Sequence, residues 1–376
     1  MDEISALDAV LRDRRAVRHL IEDIHKEVDG RSIRLMHVCG SHEHTVTRFG
    51  LRALLPPTLE LISGPGCPVC VCGTADIREA IDIARKGAVL TTFGDMMRDR
   101  TPWGSLESAR QEGLDVRVVY SPLDALRLAR DNPTREVVFF GVGFETTAAP
   151  VASLFQETPP ANFSLLASFK LTSPAVAALL DAGGRSLQGL VCPGHVSTIV
   201  GAVDWKVFPE KYGVPAVVSG FEPTDLLLAT RALVRQVRSG RAELENEYTR
   251  LVRFEGNPAA LRMLREAFEV RDSFWRGVGV VPRSGLFLRE VWRDHDARAR
   301  FGVNHEPQGD KDLPKGCQCH KVVVGDIYPP QCPLFGTKCT PQDPYGPCMV
   351  SVEGTCYIWQ RFGDPRMLQA YQGRGA

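Results

Sequence analysis

The run Ile33-Arg34-Leu35-Met36-His37-Val38 is short, apolar and β-branched at its start, and it leads directly into Cys39-Gly40-Ser41-His42-Glu43, a polar turn from which a helix-like segment begins. A strand feeding a helix through such a turn is one βα unit. The same phrase recurs as far as about Arg238. Its other strand-like runs are Leu59 to Ile62, Ala88 to Leu90, Val116 to Val119, Val137 to Phe140, Ser164 to Ala167, Gly189 to Val191 and Ala216 to Val218. The starts, near 34, 59, 88, 116, 137, 164, 189 and 216, are separated by 25, 29, 28, 21, 27, 25 and 27 residues. Short apolar runs alternating with helices indicate buried parallel sheet.

The single short step falls between the fourth and fifth runs, which divides the eight into two four-strand halves. The fourth unit of each half carries a related outline, Val118-Val119-Tyr120-Ser121-Pro122 against Val217-Val218-Ser219-Gly220-Phe221-Glu222-Pro223, each followed by Asp and Leu. The expected fold class is therefore α/β, with two similar parallel-sheet βα domains, as a duplication would give, and a C-terminal helical and loop-rich domain. Residues 1–130 hold an N-terminal helix and the first α/β domain, 131–240 the second, and 241–376 the third. The N-terminal helix shows Ile4, Leu7, Leu11, Val17, Leu20, Ile21 and Ile24 at helical spacing. Beyond Gly240 the pattern predicts helices over 242–254 and 258–268, the second opened by Asn257 as N-cap and Pro258 at the first helical position. A short apolar patch, 278–288, follows.

Composition narrows the function. The 376 residues carry 45 Lys+Arg against 45 Asp+Glu, with a pI near 7.1. That balance excludes the electrostatic footprint of a nucleic-acid or anionic-lipid binder. No apolar run reaches membrane-spanning length, and the Met-Asp-Glu start is no secretory signal, so a cytoplasmic protein is expected. In a reducing compartment the eleven cysteines are an anomaly. They are expected to be ligands, redox groups or buried small residues.

Six of the eleven lie between Cys317 and Cys356, in a segment of Gly, Pro and Asp turns with little core of its own. A metal centre would hold it together. Thiolates in turns suit zinc or an iron–sulfur cluster. Zinc knuckles are usually C-x2-4-C, whereas Cys332-x6-Cys339-x8-Cys348-x7-Cys356 is spaced more widely, which argues for a cluster. Cys317-x-Cys319 either replaces two of the four or forms a separate pair.

A second group lies in the first half. Cys39 and His42 follow the first strand, and Gly64-Pro65-Gly66-Cys67-Pro68-Val69-Cys70 follows the second. Loops at the carboxyl ends of parallel strands are where such sheets bind ligands. Cys67 and Cys70 have the spacing of a dithiol–disulfide couple, and with Cys39 and His42 they offer sulfur and nitrogen to a soft metal. Taken alone, His42 reads as a capping or hydrogen-bonding histidine, and Cys72 and Cys192 as ordinary buried residues. In the second half, Gly143-Phe144-Glu145-Thr146-Thr147, Pro193-Gly194-His195-Val196-Ser197 and Gly220-Phe221-Glu222-Pro223 end their strands. Glu145 and His195 are candidates to donate, accept or relay protons; the bland reading of Glu145 is a helix cap. Neither a dinucleotide fingerprint nor a Walker motif occurs.

Taken together, Cys39-Gly-Ser-His-Glu43, Gly64-Pro-Gly-Cys-Pro-Val-Cys70, Gly143-Phe-Glu-Thr-Thr147, Pro193-Gly-His-Val-Ser197, Gly220-Phe-Glu-Pro223 and Cys332-Pro-Leu-Phe-Gly336 through Gly346-Pro-Cys348 resemble the HypD family of [NiFe]-hydrogenase maturation proteins, in order and over almost the whole chain. The resemblance implies a scaffold for assembling the Fe(CN)2CO unit of the hydrogenase. It implies action with the small chaperone HypC, cyanide received from the HypE–HypF pair as a thiocyanate, and the hydrogenase large subunit as indirect beneficiary. It also implies a [4Fe-4S] domain likened to ferredoxin:thioredoxin reductase. Carried over, Cys39 would bind iron together with a HypC cysteine, Cys67 and Cys70 would be iron ligands or a redox pair, and Cys332, Cys339, Cys348 and Cys356 would hold the cluster. The competing readings are a stand-alone [4Fe-4S] thiol–disulfide oxidoreductase and a zinc-stabilised binding protein without redox activity.

Overall fold

All eight strand-like runs are strands in the computed structural model, which describes residues 13–183, 187–307 and 312–372. They are β1 (Ile33–His37), β2 (Leu59–Ser63), β3 (Val89–Thr92), β4 (Val116–Val118), β5 (Val137–Gly143), β6 (Phe163–Lys170), β7 (Gly189–Pro193) and β8 (Ala216–Ser219). Strands β5 and β6 are buried along their whole length, as two-sided packing requires. Three more strands follow: β9 (Leu244–Asn246), β10 (Phe268–Trp275) and β11 (Gly279–Leu288).

The strands form two sheets, in the orders β2-β1-β7-β8-β9 and β10-β11-β6-β5-β3-β4. The first is parallel throughout; the second is parallel from β6 to β4 and receives the β10–β11 hairpin antiparallel on β6. The sheets therefore do not divide near residue 130, as the short spacing led one to expect. The outer pairs, β1–β2 and β7–β8, share one sheet, while β3 to β6 form the parallel part of the other. The reason is long-range pairing: β1 takes β7 as its second neighbour, with Met36 opposite Leu190, and spacing along the chain carries no information about that choice.

The two sheets are nevertheless built alike, since β2-β1-β7-β8 and β4-β3-β5-β6 have the same order of strands. In that correspondence β4 matches β2, not β8, so the Val-Val outline shared by the fourth units does not mark equivalent positions. Strand β4 is an edge, with Val118 exposed.

Residues 241–300 also belong to the sheets. The expected helix over 242–254 is instead β9 followed by a turn. Asn246 donates to the Val252 carbonyl at 3.0 Å and accepts from the Tyr248 N–H at 3.0 Å, local bonds that compete with a helix. The helix Pro258–Ala267 forms as expected, its Asn257 cap accepting from the Ala259 and Ala260 N–H groups. At the N-terminus the helix Arg14–Val28 buries Ile24 and Val28 against the helix Pro223–Ser239, with Glu27 bound to Arg231 and Arg235. Ile4, Leu7 and Leu11 lie outside the described residues. Residues 312–372 are mostly turns and short helices laid over the sheets.

Candidate thiol and metal site

In the first sheet the chain runs from β1 outward to β2 and from β7 outward to β8, so the strand order reverses between β1 and β7. The crevice beyond the carboxyl ends at such a switch point is the usual ligand site of an open α/β sheet. Cys39 stands there as the residue before the helix Gly40–Arg48. The β2 loop locks onto it: Gly64 N–H donates to the His37 carbonyl at 2.7 Å, and Gly40 N–H donates to the Gly66 carbonyl at 3.2 Å. A Cβ on Gly66 would lie 2.4 Å from the Cys39 nitrogen, so only glycine permits this approach. Gly40 is crowded equally by Glu353 of the C-terminal segment, whose carbonyl oxygen would be 2.5 Å from a Cβ there.

Cys39 is partly exposed, and its surroundings push the thiol up to about 11, burial first and the Glu353 carboxylate also contributing. Cys67 and Cys70 are joined as a disulfide, with Cα atoms 5.3 Å apart, across the short helix Pro68–Val71. The Cys70 sulfur lies 3.9 Å from the Pro347 carbonyl oxygen, one residue before Cys348. The dithiol loop thus touches Cys39's loop on one side and the Cys-rich tail on the other.

His42 is fully buried, with neither ring nitrogen in a hydrogen bond of normal geometry. Burial holds its pKa down to about 3, with His37 and His195 adding to the effect. Its ring faces Phe221 at 5.0 Å, and His195 stacks on Phe221 at 3.8 Å, so Phe221 lies between the two histidines. His195 is exposed, and partial burial also lowers its pKa. Below them Glu43 is buried yet ionised: burial would raise its pKa, but Arg52 at 2.7 Å and His37 at 2.9 Å more than reverse that. Trp359 of the tail donates its Nε1–H to the same carboxylate at 2.7 Å.

Glu145 follows β5, the strand of the second sheet that matches β7. It accepts from the Thr172 N–H at 2.7 Å and the Thr172 hydroxyl at 2.9 Å, and burial pushes its pKa up to about 7. It is thus more than the ordinary cap that its helix-start position would make it. Cys192 is buried within β7, and Cys72 is buried beside Ser168 and Asp76.

In the tail the sulfurs of Cys319, Cys348 and Cys356 lie within 4.8 Å of one another. Two of the four residues expected to form a ligand set are in this trio, and Cys319 is the third member. Cys317 is 3.2 Å from Cys319 through sulfur. Cys339 accepts from the Tyr345 and Gly346 N–H groups at 3.4 Å each, and Cys332 is buried nearby on the loop that runs to it. A Cβ on Gly346 would lie 2.4 Å from the Cys317 sulfur and 3.0 Å from that of Cys319. Six buried thiols around a glycine cradle, three of them already at ligand separations and one accepting two amide bonds, fit a thiolate-bound cluster.

Comparison with known proteins gives the family. The family described as "HypD: Hydrogenase formation hypA family" matches residues 15–363. The chain belongs to the HypD family. It is 45% identical over 367 residues to the hydrogenase expression/formation protein HupD of Azotobacter chroococcum mcd 1, covering 94% of this chain and 96% of that one. It is 44% identical to the hydrogenase maturation factor HypD of Azotobacter vinelandii, with the same coverage, and 42% identical to that of Escherichia coli (strain K12), over 88% of this chain and 90% of that one. The chain is accordingly a hydrogenase maturation factor of the HypD family.

The HypD-family sequence does not single out Arg52, Trp359 or Glu353 as part of the site, whereas it leaves Cys319 open as a replacement ligand. An exposed-looking Arg in a Leu-rich stretch and a Trp in a tail helix carry no spacing signal. For Cys319, the short Cys317-x-Cys319 separation was the available pointer. Among the described residues no helix is long and apolar enough to cross a membrane.

Proposed function

We propose that this chain is the cytoplasmic scaffold and redox protein on which the Fe(CN)2CO unit of a [NiFe]-hydrogenase is assembled. Its partners in this reading are a HypC-type small chaperone and the HypE–HypF pair as cyanide donor, and the finished unit is destined for the hydrogenase large subunit. The observation that carries the reading is the join of three parts: the Cys39 loop hydrogen-bonded to the Cys67/Cys70 loop, and Cys70 touching the Cys-rich tail through Pro347.

Iron is the cargo, and Cys39 at the switch point is its ligand, shared with a chaperone cysteine. In the reduced state the Cys67/Cys70 thiolates supply the two electrons that release of cyanide from a thiocyanate requires. One thiolate attacks the thiocyanate sulfur, the S–C bond breaks and cyanide leaves; the second thiolate then displaces the carrier thiolate and closes the Cys67–Cys70 disulfide. A [4Fe-4S] cluster, held by ligands drawn from Cys332, Cys339, Cys348 and Cys356 with Cys319 as an alternative member, would supply single electrons to restore the dithiol. His42, kept neutral, flanks the iron site, while Glu145 and His195 hold protons at the carboxyl edges of the two sheets. The rival reading, a stand-alone disulfide reductase, draws on the Cys67–Cys70 disulfide alone and has no use for Cys39.

The test is infrared spectroscopy of the anaerobic complex with a HypC-type partner. Cyanide and carbonyl stretches are expected, and Cys39→Ala should abolish them. Bands that survive Cys39→Ala would remove Cys39 as the iron ligand, and a complex that never shows them would leave the reductase reading in possession.

A further inference from the structure

The short helix Pro68–Val71, which carries Cys70 and is capped by Cys67, leaves through Cys72 and Gly73 into the helix Thr74–Arg85. Its exit is held by residues distant in sequence. Arg276, in the turn between β10 and β11, donates its backbone N–H to the Val71 carbonyl at 3.0 Å. The next helix receives no side-chain cap from Gly73. The Asp312 carboxylate of the tail takes that place, accepting from the Thr74 N–H at 3.1 Å and from the Thr74 hydroxyl.

One side chain joins these two holds. Arg276 is fully buried; its Nε–H donates to the Asp312 backbone carbonyl at 2.8 Å, and its Nη1 donates to the two carboxylate oxygens of Asp99 at 3.0 and 2.8 Å. Asp99 follows the short helix Gly94–Arg98 beyond β3, so the guanidinium ties the hairpin, the second sheet and the tail to the segment leaving the dithiol helix. Asp99, Asp312 and Thr74 are each at most 2% exposed. Withdrawing a guanidinium and two carboxylates from water is costly, and their mutual attraction offsets the cost only in good geometry. Such a trio is weak evidence for stability; what it supplies here is a fixed shape beside the dithiol.

We propose that Arg276, with Asp99 and Asp312, is the positioning network of the dithiol: it holds Cys67 and Cys70 in bonding register and so sets the balance between disulfide and dithiol. Two thiols held close have already lost the freedom that closing the bond would cost, so each meets the other at a high effective concentration and the disulfide is favoured. Loosening the exit of the helix returns that freedom to the dithiol form alone. Asp312 belongs to the tail, so the hold is complete only with the tail seated on the sheets. The inference rests on the redox role given to Cys67 and Cys70 above.

The test equilibrates the full chain anaerobically in buffers of graded oxidised-to-reduced dithiothreitol, starting from both the oxidised and the reduced protein. Free thiols are then alkylated, and the Cys67 and Cys70 states are read by peptide mass spectrometry. In this exchange the protein disulfide takes the two electrons and two protons that dithiothreitol gives up on forming its cyclic disulfide. Arg276→Lys and Asp312→Ala should each shift the equilibrium toward the dithiol at least about fivefold. Arg276→Lys keeps the positive charge and loses the planar fork, so its shift reports geometry and not charge. Phe163→Leu, at the amino end of β6, should lower stability against urea yet leave the equilibrium within about twofold of the parent. Where Asp312→Ala fails to fold, Asp312→Asn, which keeps one oxygen to accept from Thr74, should shift the equilibrium less and in the same direction. Equilibria unchanged in the Arg276 and Asp312 variants, or moved as far by Phe163→Leu, would overturn the proposal and leave the dithiol reading standing. A parent pair that stays disulfide-bonded in every buffer would overturn both.

Discussion

Glu145 shows how one buried residue writes itself into the pH dependence of the whole chain. Its carboxyl is protonated in both the folded and the unfolded chain below about pH 4.5. Between there and about 7 the folded chain keeps the proton that the unfolded chain has lost. Stability contributed by the neutral form is therefore fully present below pH 4.5, declines as pH rises toward 7, and is constant above it. The shift corresponds to a penalty of about 3 kcal/mol at neutral pH, an upper bound for a single site. Glu145→Gln retains an oxygen to accept from Thr172 and cannot ionise. Urea unfolding should find the variant close to the parent at pH 4.5 and more stable by up to about 3 kcal/mol at pH 8. A difference that does not change with pH would show that Glu145 is ionised in the folded chain.

At the scale of elements, the site depends on two turns that hold each other. Gly66 has its Cβ position filled by the Cys39 backbone, so Gly66→Ala must push the β2 loop away from Cys39. The strands themselves are untouched. The variant should fold, with an unchanged far-ultraviolet spectrum and a loss of about 1–3 kcal/mol, yet should lose the infrared bands that report iron at Cys39. Retention of those bands would mean that the loop contact does not position the iron ligand. Such elements were legible to different degrees. The eight strands were readable because each is a buried apolar run between turn residues, and Asn257-Pro258 announced its helix through two local rules. The pairing of β1 with β7 was not readable, because it is decided between residues some 150 positions apart along the chain, as the Arg34–Gln188 bond illustrates. Strand β10 was hidden for a different reason: Phe268 to Trp275 alternates charged and apolar residues only after a helix whose end carries no glycine or proline. The thiol groups were legible as clusters, whereas Cys319 was separated from Cys332 only by folding.

For the whole molecule, the division of labour between sheets and tail predicts what loss of the metal centre does. The two sheets carry their own cores, with Phe139, Phe140, Phe163 and Phe169 buried to within 1%. The tail from Asp312 to Gly354 has only short helical turns, and its own hydrogen bonds are mostly local. What it has in abundance is buried thiols, so metal binding there is folding energy for the tail and for little else. Among its outward links are Trp359 to Glu43, Ser63 to Thr355 at 2.9 Å, Pro347 to Cys70, and Glu353 on Gly40, beside others to Thr74, Asp95, Arg98 and Arg276. The first four end at the segments that carry Cys39 and Cys67. Stripping the metal by oxidation and chelation should raise hydrogen exchange at least about tenfold across residues 312–354 while leaving β5 and β6 protected. The loops 39–43 and 64–72 should follow the tail, since their outer contacts leave with it. Uniform exchange across the stripped chain would show that tail and sheets unfold together, and an unchanged tail would show that the thiols hold nothing that the chain needs to fold.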